Sequence, residues 1–352
     1  MFATRMRTDR PRRRARPLVV AVLAAAAAVL IGCGPPAPEP LTIQFDARVG
    51  DAPARCGVRY DGVGTAGAPV ELADARFYVS EIALTRADGS AVPLVLDADT
   101  PWQHENVALL DFEDATGRCG DTGTAQTNGA VRATAPPGDY DGLRFTIGVP
   151  RALNHLDGPT APSPLNLNAL YWNWRFGYIF TKVEFWNPDV VSAGSVDPVD
   201  TAAAAPDAAA PDAAAQAGDP TGAADGTAAE MPVIAEPGPT ITYLVHIGST
   251  GCASSAPTTP PDAPCARPSR VTIALDGFDP RTDVVRLDLA GLVDGIDVTQ
   301  SVPRPPGCMS APIDPDCGPV FANLGLDPDT GACADDCRAQ KLASRAPAEA
   351  EP

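Results

Sequence analysis

The residues able to bind a metal or to be oxidised are few and unevenly placed. There are three histidines, His104, His155 and His246, and four tryptophans, three of which fall between Leu153 and Trp186 with His155. Imidazole nitrogens suit copper, zinc and iron, whereas thioether copper sites need methionines, and the chain has only 4 in 352 residues. In Trp102-Gln103-His104 an extended chain puts the indole and the imidazole on one face. His155 opens a proline-rich loop, where a solvated histidine is the plainer local reading. His246 precedes Gly248-Ser249-Thr250-Gly251-Cys252, which lacks the G-x-S-x-G spacing of a nucleophile elbow. With no nucleophile, base or cofactor motif, the chain does not read as an enzyme. Asp327, Asp329, Asp335 and Asp336 around Gly331 could gather Ca²⁺, but their spacing is not that of an EF-hand loop, and a solvated acidic turn is the simpler reading.

The cysteines set the compartment. Seven arginines between Arg5 and Arg16 precede the Ala-rich apolar run Leu18–Leu30 and then Gly32-Cys33, which reads as a secretory signal too short to span a membrane. It resembles a bacterial lipoprotein signal whose lipobox ends at Cys33, the residue acylated, with a tether over 34–40. That predicts a cell-envelope protein held on a membrane surface, periplasmic or on the outer membrane. The other eight, Cys56, Cys119, Cys252, Cys265, Cys308, Cys317, Cys333 and Cys337, are disulfide candidates in an oxidising compartment. The pairs expected are Cys56–Cys119, Cys252–Cys265 and two among the last four. Without the signal, 19 basic and 43 acidic residues remain, a net charge of −24, which repels nucleic acid.

The elements that must position these residues are strands. Leu41–Val49, Ala75–Leu84, Ala91–Leu96, Val107–Phe112, Tyr140–Val149, Ile241–Ile247, Arg270–Leu275 and Val284–Leu289 alternate or are β-branched and end in Gly, Pro or Asp. Asp88-Gly89 marks a hairpin. Tyr171–Phe185 alternates throughout and reads as one strand, with Gly177 as a bulge or a close backbone approach, Lys182 and Glu184 able to pair on one face, and Trp172 and Trp174 in the core. Leu167–Tyr171 is open between strand and short helix. The expectation is a mostly β fold, an antiparallel β-sandwich with long loops and disulfide staples. It forms a single domain over 41–338, interrupted at 192–239 by an Ala/Pro-rich insertion that cannot bury enough apolar surface to order, and followed by a loose tail at 339–352.

Several ordered pieces carry a resemblance. They are Phe77-Tyr78-Val79-Ser80, Val107 to Glu113, Gly148-Val149-Pro150, Leu153-Asn154-His155, Trp172-x-Trp174-x-x-Gly177-Tyr178-x-Phe180-x-Lys182-x-Glu184, and His246-x-Gly248-Ser249-Thr250-Gly251-Cys252. Together, over roughly 41–330, they resemble the MbnP family of periplasmic or surface copper-binding proteins, related to CorA and MopE. The resemblance implies a MauG-like dihaem peroxidase partner, MbnH, that oxidises a tryptophan to kynurenine. The resulting aryl amine joins two histidines around one copper ion. Carried onto this chain, it implies Trp102 as the modified residue, His104 and His155 as ligands, and His246 in reserve, with Trp172 and Trp174 the main competitors for the oxidation. The alternative is a structural or adhesive surface lipoprotein without metal.

Overall fold

Alternation organises the chain around one long strand. The structure, a computed structural model, describes Met1 and residues 36–121, 123–190, 238–302 and 305–348. Contacts group Pro38–Pro352 into one unit, the one described below. The signal, Cys33, the start of the tether, nearly all of the insertion and the last four residues lie outside the described residues. No described helix is long and apolar enough to cross a membrane.

The principal strands are β1 (Glu39–Val49), β2 (Arg59–Val63), β3 (Ala68–Thr85), β4 (Gln103–His104), β5 (Val107–Asp111), β6 (Ala130–Ala135), β7 (Gly142–Ile147), β8 (Tyr171–Asn173), β9 (Gly177–Trp186), β10 (Thr242–Gly248), β11 (Val271–Asp276), β12 (Asp283–Asp288) and β13 (Ala343–Pro347). The larger sheet runs β11-β7-β3-β9-β10, with β2 and β5 also on β3 and β4 on β5. The smaller runs β13-β12-β1-β6. The sandwich is not purely antiparallel, because β1 pairs β12 in parallel and Leu244–Val245 of β10 pairs Gly307–Cys308 in parallel.

The two sheets close on one apolar layer. Ile43, Phe45, Val131, Val285 and Leu287 come from one side, and Phe77, Val79, Phe145, Val183, Phe185 and Val245 from the other. Phe45 meets Phe145 edge-on with ring centroids 5.5 Å apart. Residues of opposite parity on the large sheet face outward, as a period of two requires. One end of that outer face is apolar: Tyr78, Val107, Leu109, Tyr178 and Phe180 pack beneath Val149, Leu153, Leu165 and Leu170. The other end carries charge.

Two expectations need correction. Tyr171–Phe185 is a hairpin, not one strand: β8 folds back on β9, with Tyr171 opposite Tyr178 and Asn173 opposite Gly177. Asn173 Oδ1 accepts from Phe176 N–H at 3.0 Å, and Gly177 takes φ +79°, so an asparagine side chain bonded to the backbone three residues on and a left-handed glycine reverse the chain where side-chain alternation continues. A Cβ on Gly177 would lie 2.1 Å from Asn154 O, so the glycine is also a close approach. In consequence Trp172 and Trp174 are half-buried on the hairpin arm rather than core. Second, the tail is not loose throughout. β13 pairs antiparallel with β12 and buries Ala343 and Ala346, because the outer edge of β12 offers it an open ladder. Leu167–Tyr171 resolves into a 3₁₀ turn, Asn168–Leu170, leading into β8.

The disulfides join Cys56–Cys119, Cys252–Cys265, Cys308–Cys317 and Cys333–Cys337.

Candidate metal centre

Pro150 launches a single helical turn, α1 (Arg151–Asn154), and His155 flanks its end. Asn154 ties that turn to the hairpin: its Oδ1 accepts from Tyr178 N–H at 3.0 Å and its Nδ2 donates to Phe176 O at 3.2 Å. The His155 ring is thereby held with Nδ1 3.2 Å from the Trp174 carbonyl. A carbonyl only accepts, so Nδ1 carries the proton and Nε2 the lone pair. Around Nε2 lie Asn154 Nδ2 at 3.4 Å and Cys265 Sγ at 3.7 Å. Burial lowers the His155 pKa below the usual histidine value and outweighs the carbonyl bond, with help from the Arg151 charge, so the ring is neutral at pH 7. The hairpin is tied on its far side to the loop closed by Cys252–Cys265, where Arg175 Nη2 donates to Ser254 O at 2.9 Å.

Trp102 and His104 lie on and before β4. Gln103 between them is buried and spans to the small sheet, donating to Asp97 O and Arg132 O and accepting from Arg132 N–H. Trp102 accepts from Leu109 N–H through its carbonyl and packs, half-buried, on the apolar patch that contains Leu153, two residues before His155. His104 is half-buried, with Nε2 3.7 Å from Glu105 Oε1.

His246, on β10 opposite Lys182 of β9, points into the charged end of the outer face. Its Nε2 lies 2.8 Å from Glu184 Oε1, and its Nδ1 is buried with no hydrogen-bond partner among the described residues. Gly248, two residues on, forms a notch for Trp172: a Cβ there would sit 2.7 Å from Trp172 Cζ3. Burial would raise Glu184, but the His246 hydrogen bond and Lys182 hold it down at about 2.

From Glu184 a ladder of charges crosses from β9 to β3 and on to Glu113, two residues past β5. Lys182 Nζ lies 3.3 Å from Glu184 Oε1 and 2.7 Å from Asp74 Oδ2 of β3. Arg76 binds Asp74 and lies 2.9 Å from Glu113 Oε1. Every member but Glu184 is buried. Burial alone would lower the Lys182 ammonium, but Asp74 and Glu184 outweigh it and raise it above the usual lysine value. Glu113 goes the other way: burial, then the Asp74 charge, push it up to about 8 against Arg76. Burial likewise lifts Asp111 to about 6.

The Lys182–Glu184 pair was legible in the sequence; Asp74, Arg76, Asp111 and Glu113 were not singled out, although Asp74-x-Arg76 has the same spacing of two. At the acidic loop, Asp327 Oδ1 accepts from Asp329 N–H, Thr330 N–H and Thr330 Oγ1, so it caps its own turn. Among the described residues, the one group of three or more His, Cys, Asp or Glu able to surround an ion is His155, Cys252 and Cys265. The Asp327–Asp336 loop gathers none.

No curated protein matches the chain. Among solved structures, MbnP from Methylosinus trichosporium matches with a TM-score of 0.67 and 28% identity, over 89% of this chain and 100% of that one. The MbnP family model matches residues 38–310, which takes in β1 through β12 and all three histidines, so the chain belongs to the MbnP family.

Proposed function

We propose that this protein is a copper-binding component of the cell envelope, anchored by acylated Cys33, that holds one copper ion through His155, His104 and Trp102 converted to kynurenine by a dihaem peroxidase. It is the substrate of that oxidation and not itself an enzyme. The observation that carries the reading is the His155 ring: it is neutral, its Nδ1–H is fixed on the Trp174 carbonyl, and its Nε2 lone pair meets a long 3.4 Å contact from Asn154 Nδ2, which a metal would displace. A backbone carbonyl that fixes tautomer and orientation in this way is the usual support behind a ligating imidazole. Imidazole nitrogens and an aryl amine match the donor preference of copper. When bound, copper would supply a redox-active cation. The protein's part is to hold a neutral imidazole and to keep the modified ring half-buried on the patch shared by Trp102 and Leu153.

A second reading has its own observation. His246 donates to Glu184 and presents a buried Nδ1 with no hydrogen-bond partner among the described residues, and Trp172 is seated in the Gly248 notch on the same strand. A carboxylate behind a ligating histidine is an equally good support. This would move both ligand and modification to the β10 end.

One experiment separates the two. The chain is co-expressed with a dihaem peroxidase, and metal content and peptide mass maps are taken. Kynurenine at Trp102, with one copper that is lost in His155→Ala, supports the first reading. Kynurenine at Trp172, with loss in His246→Ala, supports the second. Stoichiometric copper in both variants rejects each.

A further inference from the structure

Cys252, Cys265 and His155 converge for a reason that the copper reading does not use. Their ligand atoms all lie within 4.8 Å of one another. As a disulfide, the two sulfurs are poor donors, because the good donor to soft cations is the thiolate. His155, however, is aimed at the pair: its Nε2 lone pair lies 3.7 Å from Cys265 Sγ. First-row metals bind thiolate sulfur at about 2.3 Å and imidazole nitrogen at about 2.0 Å, so ligands at tetrahedral or trigonal angles stand about 3.5–4 Å apart. The nitrogen–sulfur separation already has that value. Once the sulfur–sulfur bond is cleaved, the two sulfurs part by about 2 Å to reach the same spacing, with Cys252 Sγ already within 4.8 Å of the imidazole. Cys252 is buried, whereas Cys265 is half-buried and open to attack.

We infer that Cys252, Cys265 and His155 are a latent soft-metal site, closed as a disulfide and opened by reduction into a two-sulfur, one-nitrogen set for Cu(I) or a similar thiophilic cation. The chemistry balances with a dithiol as reductant. One of its thiolates attacks Cys265 Sγ, the Cys252–Cys265 bond breaks, and the mixed disulfide resolves as the second thiolate attacks. Two electrons and two protons pass to Cys252 and Cys265, and the dithiol leaves as its own disulfide. The cation then displaces the two thiol protons and takes the Nε2 lone pair that the Nδ1–H···O=C Trp174 bond has set.

The inference shares His155 with the proposed copper site but needs neither kynurenine nor a peroxidase, so protein never exposed to one tests it alone. The full chain is reduced with dithiothreitol under anaerobic conditions, freed of reductant and titrated with Cu(I) against a chromophoric chelator, with Co²⁺ as a spectroscopic probe. The expected result is one equivalent bound by the reduced chain and not by the oxidised one, with thiolate-to-metal charge-transfer bands for Co²⁺. Cys252→Ser with Cys265→Ser should abolish both. His155→Ala should weaken binding at least tenfold while thiolate bands remain, and His155→Cys should restore affinity. Cys333→Ser with Cys337→Ser should change neither. Equal binding before and after reduction overturns the inference, as does binding that survives the Cys252/Cys265 double variant. Near-ultraviolet circular dichroism of each variant establishes that the sandwich is intact, and a disrupted double variant is replaced by Cys265→Ser alone, with the same two outcomes.

Discussion

At the scale of single residues, the carboxylates of the ladder behave as opposites. Glu184 is held down at about 2, below its usual 4.5, so its share of stability is present above about 4.5 and lost as pH falls towards 2. Glu113 is pushed up to about 8, so its share is fully present below 4.5 and lost as pH rises through 8. Glu113→Gln should therefore flatten the fall in thermal midpoint between pH 5 and 9, while Glu184→Gln removes the acid slope below 4.5. An unchanged alkaline slope in the first variant would refute the assignment. Arg76→Met strips the cation that stands between Asp74 and Glu113, and removing one partner of a buried ionic network costs about 3–5 kcal/mol, readable in urea unfolding. Lys182 and Glu184 could be paired from the sequence because both lie on one strand. Asp74 and Glu113 could not, since which residue of β3 faces which of β9 is set by cross-strand register, and one sequence does not state it.

At the scale of elements, the hairpin decides where His155 points. Gly177 combines φ +79° with a backbone contact that no Cβ can share. Gly177→Ala should cost about 2 kcal/mol or more and, by displacing Asn154, release the His155 ring. The His155 pKa, followed by NMR, should then rise towards 6.5. The same hairpin was hidden in the sequence because Tyr-Trp-Asn-Trp-Arg-Phe alternates as evenly through a turn as through a strand. The signal that mattered was Asn173 four residues before a glycine. The longer strands were legible because burial on one face imposes a period of two. β13 escaped notice because Ala-Ser-Arg-Ala-Pro is weakly β-forming, and it is a strand only because β12 has an edge to pair. Truncation after Lys341 should leave that edge bare, lower the thermal midpoint and promote association, measurable by light scattering.

At the scale of the whole molecule, the two-layer architecture was readable from strand count and turns, and the family from ordered motifs. What converges on His155 was not, because Cys265 is 110 residues away in sequence. Asn187 N–H donates to Ile241 O at 2.6 Å, and its Nδ2 donates to Thr240 O at 3.2 Å, so the chain leaves and re-enters the fold at one place. Replacing 191–237 by a short Gly/Ser linker should leave the thermal midpoint within a few degrees of wild type. Among the disulfides, Cys56–Cys119 closes the longest segment, 63 residues apart, and Cys333–Cys337 the shortest, 4 apart. Chain entropy ranks their removal at about 4 and about 2 kcal/mol, a difference that denaturant midpoints resolve. The row Glu113, Arg76, Asp74, Lys182, Glu184, His246 has one more effect. Its members on β10, β9 and β3 occupy matched positions on neighbouring strands, so sliding β9 by one residue would thrust an ammonium and a carboxylate into the apolar layer that holds Val183 and Phe185. Misthreaded chains are thus penalised as soon as they form, and the ionic row serves as a proofreading key for a sheet assembled from distant parts of the sequence.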